Sequence, residues 1–126
     1  ASQSALTYLL KAIERRPTDA SLWSQVLILK YFLRQYDAQF INALKYMVVY
    51  DPWKPFMQQT VVNIGLATWY QLPKTVPPIV IDTIERGLQI QPKVIEEAIQ
   101  KHRRKWVVCV HAGDKPKLAQ LCQMTN

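Results

Sequence analysis

The densest run of charge in the chain is Lys101-His102-Arg103-Arg104-Lys105, and Lys115 and Lys117 follow shortly after it. Arginine forks pair with carboxylates and phosphates and lysines act as point charges, so such a cluster suits an anionic partner: a glycan acid, a lipid headgroup or a nucleic acid. From Lys93 to Lys117 seven Lys or Arg stand against three acids, and the whole chain carries a formal charge of +7. Five consecutive positions of a helix point to more than one face, so the run cannot all meet one ligand. Its plainer reading is a solvated surface in which Glu97 and Lys101, four residues apart, pair with each other. The candidate anion patch is Lys101, Arg103, Arg104, Lys105, Lys115 and Lys117. Nucleic acid ranks last among its ligands, because no RNP-type, zinc-finger or helix-turn-helix signature accompanies it.

Two further residue types could do chemistry. Cys109 and Cys122 are the only cysteines, too few for a zinc site, and His102 and His111 do not complete one at ligand spacing. The pair reads either as a disulfide clamping the last helix to the one before it in an oxidising compartment, or as two small buried side chains. Tryptophans stack on the apolar faces of sugars, but Trp23, Trp69 and Trp106 sit at helical spacing and read as core. Trp53, between prolines in a turn, is the one expected to be partly exposed and is the candidate aromatic contact. The chain contains no Gly-rich phosphate loop, GxSxG or HExxH, and context singles out no carboxylate pair, so it is read as a non-enzyme without catalytic residues, metal or cofactor.

These residues must be positioned by helices. Only 3 Gly against 8 Pro, with a 49% hydrophobic share, favours proline-punctuated helices over hairpin strands, and 126 residues suit one domain. The organising stretch is Asp51 to Leu72, a proline turn followed by a helix from Phe56 to Tyr70 that is apolar on most sides and therefore belongs mid-stack. Gly65 marks a place where another helix backbone comes close. Before it, helices are expected over 4–16, Ala20 to about Arg34 behind Thr18 or Asp19, and Ala38–Tyr50 behind Asp37. After it come Pro77 to about Leu88 capped by Thr75, a sixth helix over Lys93–Val110 with Trp106 inward, and a short one from Lys115 to Gln123. The turn before that last helix would use Gly113 at positive φ and Asp114 as cap. Asp82 and Arg86 are expected to pair on the outer face of the fifth helix.

The spacing also repeats. Ala5, Leu9, Ala12 and Pro17 followed by Trp23 match the second helix of a tetratricopeptide repeat, its closing proline and the tryptophan of the next unit. Pro52 falls 35 residues after Pro17, near the 34-residue period, while Pro92 falls 40 after Pro52. The expected architecture is all-α, a tetratricopeptide-like stack of antiparallel helix hairpins with about six to seven helices in all. Carrying the repeat's binding face onto the second unit puts Ser21, Ser24, Ile28 and Tyr31 in a candidate partner groove.

Tyr36-Asp37-Ala38-Gln39-Phe40 and Gly65-Leu66-Ala67-Thr68-Trp69, with DPWKPF and the late WVVC, resemble the VpsP-type family of bacterial exopolysaccharide-biosynthesis accessory proteins. The resemblance covers Ala5 to about Cys109. It implies a tetratricopeptide-like scaffold in the periplasm, part of a membrane-anchored or exported parent, holding protein partners of a polysaccharide assembly system. It brings no catalytic residue. The chain opens at Ala1 without methionine or a charged signal region, as expected of a piece of a longer protein, and direct binding of an anionic glycan is the alternative activity.

Overall fold

Every regular element is helical in the computed structural model, which describes residues 2–124. The order is α1 (Ser2–Arg15), α2 (Ala20–Leu33), α3 (Ala38–Tyr50), α4 (Pro55–Ala67), a 3-10 turn (Trp69–Gln71), α5 (Pro77–Ile90), α6 (Pro92–Lys101), α7 (Lys105–Cys109) and α8 (Pro116–Gln123). Local chemistry sets most of the starts. The Asp19 carboxylate accepts the Ser21 and Leu22 N–H groups at 2.9 and 3.3 Å, and Asp37 accepts from Phe40 at 3.1 Å. Prolines fill the first turn of α4, α5, α6 and α8, where their missing N–H leaves nothing unpaired.

Two of the expected caps are absent. Thr75 does not cap α5; Val76 stands at that N-cap, and Pro77 and Pro78 remove donors a side chain would have accepted from. Asp114 does not cap α8, and Gly113 does not take positive φ. The Glu85 carboxylate reaches across from α5 instead, accepting the Lys117 and Leu118 N–H groups, each at 2.9 Å.

The short turns fold α1 onto α2, α2 onto α3 and α4 onto α5, while α2, α4 and α6 stack as one row and α3, α5 and α8 as the other. Within the first row the helices run the same way. Gln59 of α4 meets Gln91 at the start of α6, Asn63 meets His102 and Leu66 meets Arg104, so both sequences advance together. The helix α4 is the centre of the stack, as its sequence requires, with Met57, Val61, Val62, Ile64 and Leu66 buried. Phe56, in the first turn of α4, and Tyr70, in the 3-10 turn that follows it, are exposed. Beside Gly65 the close neighbour is not a helix backbone but the Val80 side chain, whose Cγ2 would lie 2.7 Å from an added Cβ.

Two helix ends use a strained backbone. Among the described residues, the positive-φ residues that are not glycine are Arg34 (φ 56°) and Arg103 (φ 54°), which close α2 and α6. Each is followed by an N–H that reaches back to the last turn, Gln35 to Lys30 O at 3.0 Å and Arg104 to Ile99 O at 3.1 Å. A left-handed residue with a Cβ costs about 1 kcal/mol, and none of the glycines occupies such a position.

The expected single helix over Lys93–Val110 is therefore two. The left-handed Arg103 ends α6 and re-aims α7. Each residue advances the helical phase by about 100°, so the break changes what faces inward. Val108 becomes buried, and Trp106, expected in the core, is 86% exposed.

Candidate functional site

Ser24 cannot line a groove. It is 2% exposed, with its hydroxyl donating to Ser21 O at 2.7 Å. Ser21 is exposed, and the remaining two of the four predicted groove residues fall into separate hollows. Ile28 lies with Leu9, Gln25, Leu29 and Phe32 in a shallow apolar depression of about 300 Å³ between α1 and α2. Tyr31 lies with Phe32, Arg34, Tyr36, Ala67 and Gln71 in a more polar cleft of about 470 Å³, where the last turns of α2 and α4 approach. Phe32, 76% exposed, is the ridge between the two. A repeat pattern transfers positions but not packing, and here α2 is turned so that its Ser24 faces the stack.

The predicted anion patch is also divided. Lys101 and Arg103 are exposed at the end of α6. Arg104 is turned onto α4, its Nε donating to Leu66 O at 3.0 Å and its guanidinium lying 4.9 Å from the centre of the Tyr70 ring. Lys105 donates to Met124 O at 3.4 Å, beside the last turn of α8. Lys115 and Lys117 flank the other end of that helix, about 12 Å away at 1.5 Å per residue. Lys115 is engaged there by Asp82 at 3.0 Å and Asp114 at 3.4 Å, and the Asp82 hydrogen bond and charge raise its pKa. Asp82 thus pairs with Lys115 rather than with Arg86. The Arg86 guanidinium turns inward to Pro52 O and the Thr83 hydroxyl, and Glu97 and Lys101 form no ion pair among the described residues.

Trp53 is where the sequence places it, 49% exposed on the turn between α3 and α4. That turn is held from behind by polar side chains. Pro52 O accepts from Gln58 and Arg86, and Gln91 donates to Pro55 O and to Gln58 Oε1. The indole is therefore presented from a braced support.

Cys109 and Cys122 form a disulfide with a 2.03 Å bond, clamping α8 to α7; the two are half-buried, so the buried-thiol alternative does not hold. The bridge closes a loop across a separation of 13 residues. Replacing both cysteines with alanine, or reducing the bridge, is expected to lower stability by about 3 kcal/mol, from the loop entropy returned to the unfolded chain. Urea unfolding with and without reductant measures it.

His102 sits at the α4–α6 contact, its Nε2 3.1 Å from Asn63 Oδ1. Burial, with the Lys101 and Arg104 charges, holds its pKa below the ordinary 6.5. A base with a lowered folded pKa contributes stability that is present above pH 6.5 and is lost as pH falls through the folded value. The melting temperature is expected to drop on acidification from pH 7 through the imidazole range. His102→Gln, which keeps a donor to Asn63, should flatten that step; an unchanged profile would show that another group is responsible.

The residue sequence reasoning passed over is Arg34. It lies outside the basic run, and its signal was available only as a non-glycine residue where a helix must close before the capping Asp37. No family model, curated protein or solved structure matches the chain.

Proposed function

We propose that this domain is a non-catalytic interaction module that holds a protein partner of a bacterial exopolysaccharide assembly system, on the periplasmic side of the membrane to which its parent is anchored. The observation that carries the interaction reading is the apolar depression between α1 and α2, with Phe32 standing at its edge. An exposed aromatic beside an apolar hollow, mounted on paired helices that need no ordering on association, is the kind of surface on which a few residues dominate protein binding. The polysaccharide system and compartment come from the VpsP-type resemblance. No described helix is long and apolar enough to cross a membrane.

The test is capture from membranes of a VpsP-type polysaccharide producer. Wild-type protein should recover a synthase or transport component, and Phe32→Ala should recover at least tenfold less of it. Recovery of no such component, together with normal biofilm after deletion of the gene, would end this reading.

A further inference from the structure

The row α2, α4, α6 runs in one direction, so its three C-terminal ends lie at the same edge of the molecule, and residues distant in the chain meet there. The cleft between α2 and α4 has Tyr31, Phe32 and Tyr36 on one side, Gln71 on the other, and Arg34 among them. Next along the edge is Tyr70, exposed, with the Arg104 guanidinium against its ring, and then Arg103 at the end of α6. Asp37, which follows Tyr36, is occupied by the Lys30 ammonium at 2.6 Å and by the Phe40 N–H, so it does not neutralise the edge. Both left-handed helix closures in the described chain fall on this edge, and both are arginines. Glycine or asparagine fills that conformation with less strain, and cations elsewhere in a last helical turn would answer the helix dipole equally well.

We propose that this edge is a binding site for an acidic oligosaccharide, with aromatic rings of the cleft packing on sugar faces and Arg34 and Arg103 receiving carboxylates. Arginine binds a carboxylate through two parallel N–H donors, and aromatic faces accept the CH face of a hexose. The ratio of groups selects this ligand over nucleic acid. In the cleft itself three aromatic side chains accompany one arginine, a sparse charge that fits a chain with an acid on some of its rings. A single-stranded nucleic acid carries a phosphate on every unit and is met by a continuous cationic track. The site lies across the Phe32 ridge from the partner-docking depression and stands whether or not that docking reading holds.

The strained conformation supplies a clean experiment. Arg34→Gly removes the guanidinium and relaxes the backbone, so the variant should melt at the wild-type temperature or above it. Calorimetric titration would use a short polyuronate, a neutral glucan of equal length and an oligothymidylate. The polyuronate should bind wild-type protein in a salt-sensitive manner and at least tenfold more weakly to Arg34→Gly and to Arg103→Gly, with Arg15→Ala on α1 unchanged and the glucan silent. Equal polyuronate binding by wild-type and Arg34→Gly would overturn the proposal, as would no binding to wild-type or equal binding of the glucan. Tighter binding of the oligothymidylate would overturn it in favour of nucleic acid.

Discussion

Replacement of Asp37 by alanine is expected to destabilise the domain by about 4 kcal/mol, the combined effect of a stranded buried charge and a lost cap. Lys30 is 2% exposed, and its ammonium reaches Asp37 Oδ2 at 2.6 Å, while the other oxygen of the same carboxylate caps α3 through the Phe40 N–H. Removing the carboxylate leaves a cation in the core with no partner, which costs about 3 kcal/mol or more, and an uncapped helix, which adds about 1 kcal/mol. Asp37→Asn separates the two, since asparagine caps well but carries no charge, and should lose most of the effect of the ion pair alone. Lys30→Met should be nearly neutral, because a similar apolar volume removes the desolvation cost together with the attraction. The pair also sets an acid limit. Burial raises the Asp37 pKa, but the Lys30 hydrogen bond, the Phe40 N–H and the Lys30 charge outweigh it, so the folded value lies below 3.8. Its contribution is complete above the ordinary carboxylate range and disappears as pH falls through the folded value. Urea denaturation measures all three variants, and a loss below 1 kcal/mol for Asp37→Ala would show that Lys30 finds water or another acceptor.

Glu85→Ala should cost about 3 to 4 kcal/mol and act mainly on α8. Its carboxylate is the cap of that helix although it belongs to α5, and each of its oxygens accepts one backbone N–H. Hydrogen bonds to a charged group contribute about 1.5 to 3 kcal/mol each, and deletion leaves the Leu118 N–H buried without an acceptor. Glu85→Gln keeps the shape and one accepting oxygen, so it should lose roughly half as much. Amide hydrogen exchange would localise the effect, with Lys117 and Leu118 exchanging faster in Glu85→Ala while the α2–α3 pair keeps its protection. The Cys109–Cys122 bridge keeps α8 tethered, so opening should be local in the oxidised protein and should spread when the bridge is reduced. Uniform loss of protection across the domain would instead make α8 part of the cooperative core.

For function, the surfaces that matter lie where paired helices leave their ends or faces uncovered. Phe32 divides an apolar depression suited to a protein side chain from a polar cleft suited to an acidic sugar. Phe32→Ala touches both hollows, whereas Arg34→Gly alters only the cleft, so the arginine variant is the one that separates the two ligands.

What the sequence determined by itself is the local order. Asp19 and Asp37 cap the helices they precede, prolines open four others, the apolar period of Val61 to Leu66 places α4 in the interior, and the prolines around Trp53 keep it at the surface. Such features rest on interactions within a few residues, which a sequence displays directly. The tertiary structure alone decided which distant groups meet. Asp82 takes Lys115 instead of the nearer Arg86, Glu85 caps a helix 33 residues on, and Arg104 folds onto α4 across 38 residues. The first two follow from the packing of α8 on α5 and the third from the parallel register of α4 and α6, neither of which a local period encodes. Trp106 fails for the same reason in miniature, since one left-handed residue at Arg103 shifts the phase of everything after it and turns a core position into a surface one.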